Sequence, residues 1–264
     1  MPNAVIACDR NDGGGAQIHG KISVLAFCHH FNFAYLQSKI KDAHFSDGQD
    51  WDLQWNDLFG LNNCAEVDVG RIHVIQTWTT LDLRRAILSI VATCRFLQPV
   101  LFRMESAHLI TDTHPGMINE VRKDIRREFR PVKYLGDEEI VIHLRRGDDL
   151  TAKLRYESNS VLYSRLRVLH EIYPEWRIRV YTNVNFDLDE DFLRFVAVDS
   201  QSSPFQAISH MAAAEVLIIA KSSMSYVAGL LSEGVVYAPD FWHPFMPDWI
   251  NVAELGNSST EYSK

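Results

Sequence analysis

Short apolar runs alternate with longer stretches of helical period along almost the whole chain, and this rhythm narrows the possible folds more than any other feature. AVIAC at 4–8, RIHVIQTW at 71–78, IVIHL at 140–144, RIRVYTN at 177–183, EVLIIA at 215–220 and GVVYAP at 234–239 are each short and bounded by turn-forming or charged residues, as strands are. Between them, apolar residues recur three and four apart over 16–40, 80–98, 114–129, 158–174, 203–214 and 222–233, with a short acidic helix at 187–195. The polar, aromatic stretch 42–63 predicts a loop with a short helix. Strand and helix in repeated alternation predict parallel sheets covered on both faces, because a parallel crossover needs a dozen or more residues and is usually a helix. The pattern breaks at about residues 131–138 and restarts. We therefore expect two α/β halves, 1–135 and 136–264.

The 264 residues are 47% hydrophobic, enough for one large core or two small ones. A net charge of −8 and a pI near 5.7 argue against a nucleic-acid partner bound by broad phosphate neutralisation. Any anion site must then be a local cluster. Cys8, Cys28, Cys64 and Cys94 have neither close pairing nor metal-ligand spacing, so reduced, mostly buried thiols are expected rather than a disulfide framework or a zinc site. No apolar stretch reads as a membrane span or a secretory leader, and a soluble, cytoplasmic protein is expected.

In open α/β sheets, ligands gather in the loops beyond the carboxyl ends of the strands. That rule selects DRNDGGGAQ at 9–17, HLRRGDD at 143–149 and AKSSMS at 220–225. In the second, arginine offers a planar fork of donors to phosphate oxygens. Neighbours on an extended chain point to opposite faces, so Arg145, on the His143 face, is expected to meet the ligand while Arg146 binds the scaffold. In the third, Ser222, Ser223 and Ser225 stand beside Lys221 at a helix start, where exposed amides can cradle an anion. The first loop brings Gly13, Gly14 and Gly15 before a helix but matches neither a dinucleotide fingerprint nor a Walker loop. Gln17 and His19 lie just beyond and could reach a ligand. His29 and His30 diverge by roughly 100° on a helix, a poor geometry for one metal ion. FWHPFMPDW at 241–249 reads as turns and packing aromatics.

Together and in this order, HLRRGDD, AEVLIIAKSSMSYVAGLL at 214–231 and GGGAQIH at 13–19 resemble the GDP-fucose-dependent fucosyltransferases that carry an H-x-R-R-x-D motif: the α-1,2, α-1,6 and protein O-fucosyltransferases. The resemblance implies two Rossmann-like halves facing across a cleft, the GT-B glycosyltransferase fold, with the acceptor on the N-terminal side and the nucleotide sugar held mainly by the C-terminal half. It implies that Arg145 contacts the diphosphate and stabilises the departing GDP, that His143 holds the nucleotide, and that Ser222 and Ser223 bind phosphate. Gly14 and Gly15 would let the N-terminal loop approach the donor.

The activity so implied is inverting transfer of fucose from GDP-fucose to a hydroxyl of a glycan or glycoconjugate. Negative charge grows on the phosphate as it leaves, and an arginine with helix-terminus amides can meet that need, so no metal cofactor is expected. The Asp187–Asp189 pair lies on an acidic stretch away from the three loops. Two positions depart from the family pattern. The glutamate base found ten residues after the motif histidine in some members is here Lys153, leaving Asp149, Glu157 or Asp12 as candidates. The acidic guanine reader of the α-1,6 branch is here Ala207, leaving Asp199, Gln206 or backbone groups. Another nucleotide-activated sugar, or a silent nucleotide- or carbohydrate-binding protein, are the alternatives.

Overall fold

The computed structural model describes residues 4–8, 10, 12–41, 43, 50–61, 73–78, 85, 88, 92, 100–104, 106–133, 139–146, 155–184 and 186–255. The chain divides into two compact units, Met1–Arg130 and Pro131–Lys264, each with its own parallel sheet.

The first unit runs β1 (Ala4–Cys8), α1 (Gly14–Phe31), β2 (Ala34–Tyr35), α2 (Trp51–Leu58), β3 (His73–Trp78), β4 (Val100–Met104), α3 (His108–Thr113) and α4 (Gly116–Glu128). Its strands are all parallel, in the order β2-β1-β4-β3. Helix α1 is buried along most of its length and packs on α3 and α4. A helix apolar on nearly every face belongs inside a protein. The sequence pattern carries α1 to residue 40, but it stops at Phe31 because Asn32 adopts the left-handed conformation (φ 55°). The Asn32 amide then donates to His29 O at 3.2 Å and the Phe33 amide to Cys28 O at 2.8 Å, the paired bonds of a Schellman stop. Phe33 packs back on Phe27 with ring centroids 5.8 Å apart. Burial pushes the Cys28 thiol up to about 12, which leaves it unreactive; Cys8 and Cys28 are both buried thiols outside any disulfide. Most of the helix expected over 80–98 lies outside the described residues, as do Cys64 and Cys94; Arg85, Leu88 and Ala92 are helical.

The second unit runs β5 (Ile140–Leu144), α5 (Asn159–Ile172), β6 (Ile178–Thr182), β7 (Val196–Asp199), α6 (Pro204–Ala213), β8 (Val216–Ile218), α7 (Ser223–Leu231), β9 (Val235–Ala238) and β10 (Ile250–Asn251). The strands again pair in parallel, in the order β10-β9-β8-β5-β6-β7. All five residues of the inner strand β5 are buried, which is why it reads as a nearly unbroken apolar run, His143 apart. Ile140, Ile142, Leu162, Leu166, Val180 and Ile218 lie in the shared core. The acidic stretch 187–195 holds only a 3-10 turn at Glu190–Phe192 before β7, with Phe192 stacked on Tyr163 at 5.0 Å.

Entry into β9 depends on Gly234. A Cβ there would lie 2.2 Å from Ala214 O and 2.5 Å from Glu215 O, backbone atoms beside β8 that cannot swing away. Gly234→Ala is expected to destabilise the chain by about 3 kcal/mol or more, the upper range for overpacking, read as a lowered urea midpoint. An unchanged midpoint would mean that β8 and β9 are not held together there.

Candidate functional site

Parallel pairing of β5 with β8, Ile142 opposite Ile218, brings the segments that follow both strands to one edge of the second sheet. His143 through Arg146 leave β5 there, and Ala220 through Ser225 lead from β8 into α7. His143 is buried, and its Nδ1 has no hydrogen-bond partner among the described residues. Burial first, and the positive charge of Arg145 second, lower its pKa to about 3. At neutral pH His143 is therefore an uncharged imidazole, and the cation of the pair is Arg145, which is half-buried.

Arg146 is bound into the scaffold. Its amide donates to Asn183 Oδ1 at 3.0 Å and its Nε to Glu157 O at 3.0 Å. Its guanidinium lies over Phe186 at 4.7 Å and Tyr156 at 5.5 Å. Glu157 in turn pairs with Arg165 Nη1 at 2.5 Å, so one carboxylate oxygen is engaged. Asp149 lies outside the described residues.

At the start of α7 the three serines divide their work. Ser225 Oγ donates toward Ala220 O at 3.2 Å and Ser222 O at 3.3 Å and accepts from the Ala220 amide at 3.2 Å, so it holds the loop. Ser222 is buried but does not cap the helix with its side chain, which leaves the first-turn amides open to an anion. Ser223 Oγ lies 3.0 Å from His243 Nε2. His243, buried against the Tyr226 ring at 4.7 Å, is a member of this edge that sequence reasoning misses: the histidine of an aromatic turn gives no sign that the fold returns it to α7.

The two residues expected to read the base are committed to the loop between β7 and α6. Asp199 accepts from the amides of Gln201 at 3.0 Å and Ser202 at 2.8 Å, from Ser202 Oγ at 2.7 Å and from Arg179 Nη1 at 3.2 Å. Despite the opposing cost of burial, the Ser202 and Gln201 hydrogen bonds and the Arg179 charge hold its pKa below the usual carboxylate value. Gln206 closes a capping box with Ser203: the Ser203 amide donates to Gln206 Oε1 at 3.1 Å, and the Gln206 amide donates to Ser203 Oγ at 3.2 Å.

In the first unit the glycine loop is built by packing. A Cβ on Gly14 would fall 2.2 Å from the Trp55 indole, so a glycine is needed there for Trp55 to cover the start of α1. Gly15 is buried in the same turn. Gln17, expected to reach a ligand, is buried and its Nε2 donates to Asp12 O at 2.8 Å and Lys41 O at 2.9 Å; both amide hydrogens clamp the loop. His19 Nε2 meets Thr111 Oγ1 at 3.1 Å. Arg10 grips both oxygens of Asp12, with Nε 3.1 Å from Oδ1, and also contacts His108 Nδ1. His29 and His30 both reach Glu120, at 3.3 and 2.8 Å, so the exposed pair grips a carboxylate.

No family model and no curated protein matches this sequence. Among solved structures, the chain is similar to POFUT1 in complex with GDP-fucose in two crystal forms. One aligns with a TM-score of 0.50 at 11% identity over 89% of this chain and 96% of that one. The other aligns with a TM-score of 0.50 at 10% identity over 89% and 97%. E. coli heptosyltransferase WaaC with ADP-2-deoxy-2-fluoro heptose aligns at 0.44 and 11% identity over 96% and 94%, too remote to carry weight. The POFUT1 likeness is one of fold: the chain has the α/β architecture of the GT-B type.

Proposed function

We propose that the protein is an inverting glycosyltransferase that moves fucose from GDP-fucose to a hydroxyl of a glycan or glycoconjugate. The observation that carries this reading is that neutral His143 near the end of β5 and Arg145 just after it leave the sheet next to the adjacent β8, which leads into the uncapped first turn of α7. Such an edge suits a diphosphate: a guanidinium fork on one side, helix amides and serine hydroxyls on the other. In the reaction, the acceptor oxygen bonds to the anomeric carbon as the carbon–oxygen bond to the β-phosphate breaks. The bonding pair leaves with GDP, and the acceptor proton passes to a carboxylate. Asp149 or Glu157, both from the stretch between Arg146 and α5, would take it. Arg145, Ser222, Ser223 and the α7 amides would meet the growing phosphate charge, with no cation required.

A second reading, the same transfer from another nucleotide sugar, is favoured by Asp199, whose four hydrogen bonds leave little capacity for a guanine edge. A thermal-shift panel with GDP, GDP-fucose, UDP and ADP tests both. Under the first reading GDP and GDP-fucose raise the melting temperature, since a ligand at about 100 Kd stabilises by about 2.7 kcal/mol, and UDP and ADP do not. A response to UDP or ADP instead selects the second; no response to any sinks both. Transfer is expected to survive EDTA. Activity lost in EDTA and restored by manganese would overturn the metal-free mechanism.

A further inference from the structure

Trp242 is 45% exposed, yet it is held on several sides. Its indole N–H donates to His243 Nε2 at 3.2 Å, the same nitrogen that lies 3.0 Å from Ser223 Oγ. An indole nitrogen can only donate, so His243 Nε2 is the acceptor of this bond. Nε2 thus lies within hydrogen-bond reach of both the Trp242 indole and the Ser223 hydroxyl at the start of α7. The guanidinium carbon of Arg155 sits 4.9 Å from the Trp242 ring centroid, and Phe241 meets the ring edge-on at 5.3 Å. The result is a rigid aromatic surface with its polar atom already satisfied, beside the α7 first turn and on the edge where His143 Nδ1 lacks a partner among the described residues.

We propose that Trp242 is the platform on which the sugar ring of the donor stacks, and so helps determine donor specificity. The inference rests on the proposed function, which puts the diphosphate at the start of α7. In a nucleotide sugar the hexose is joined directly to the β-phosphate, whereas the base is separated from it by the α-phosphate and the ribose. An aromatic ring held through His243 beside the first residue of α7, where the diphosphate is proposed to sit, therefore falls beside the hexose. Sugars present a C–H face that packs on an indole, and a 6-deoxyhexose, with one hydroxyl fewer, presents a more apolar surface. A ring fixed before binding costs little ordering entropy.

Calorimetric titration of the full chain with GDP and with GDP-fucose tests the idea. Trp242→Ala is expected to leave GDP affinity within about twofold and to weaken GDP-fucose roughly three- to tenfold, the range of an aromatic packing contact. Trp242→Phe, which keeps a ring, should restore most of the loss, and matched melting temperatures would exclude a folding defect. Equal weakening of both ligands would assign the ring to the base or the scaffold and overturn the inference alone, as would no change in either. A wild-type chain that binds neither ligand overturns the functional reading and this inference with it.

Discussion

Arg145→Ala is expected to abolish the response of the protein to GDP while leaving its fold in place. The remaining groups cannot replace the guanidinium. His143 is neutral, with its pKa lowered to about 3, and a helix terminus supplies only about half a charge. Charge-assisted hydrogen bonds are each worth about 1.5–3 kcal/mol, so affinity should fall roughly ten- to hundredfold. Transfer should fall further, by about 10²–10³, because the arginine would act most strongly on charge that appears only as the phosphate leaves. Arg145→Lys should recover a minor part, since an ammonium is a point charge and not a fork. Arg146→Ala is the contrasting variant. It loses the bond to Glu157 O and the contacts with Phe186 and Tyr156, and should show a lowered melting temperature. Should Arg145→Ala bind GDP as the wild type does, the diphosphate lies elsewhere.

The strand-helix rhythm made the α/β class legible because buried parallel strands have few ways to be written: IVIHL and EVLIIA are apolar apart from one His and one leading Glu, and they occupy the middle of the second sheet. Elements set by a single residue or by a partner strand were not legible. Asn32 ends α1 nine residues early through a left-handed backbone that the periodicity of FCHHFNFAYL conceals. VLFRM and VAVD become strands β4 and β7 because parallel neighbours hold them; alone, each is too short to show a period. The site divides in the same way. Arg145 and Arg146 were separable by the alternation of an extended chain, and Arg146 does lie in the scaffold. Gln17, Asp199 and Gln206 look like ligand groups in a string of letters, yet their amide and carboxylate groups hold loop backbone, a local use that depends on turn geometry. His243 reaches Ser223 only because the loop after β9 folds back on α7, twenty residues away in sequence.

Acid should expose the cost of keeping His143 neutral. In the unfolded chain its pKa lies near the ordinary 6.5, and in the folded chain at about 3, because burial and then Arg145 oppose the imidazolium. Above 6.5 both states are neutral and the group contributes nothing to pH dependence. Below that value the unfolded chain takes up a proton that the folded chain does not, so stability falls as pH falls, by up to about 1.4 kcal/mol per pH unit, until the folded pKa is reached. Asp199, whose pKa is lowered from 3.8, adds a loss at the acid end, but it does so equally in any His143 variant. Urea unfolding of wild type and His143→Gln between pH 7 and 4 isolates the histidine. The two stability profiles should run parallel near pH 7 and converge or cross toward pH 4, with the variant the flatter. Profiles that stay parallel throughout would mean that His143 titrates as it does in the unfolded chain, and that burial beside Arg145 does not hold its imidazole neutral in acid.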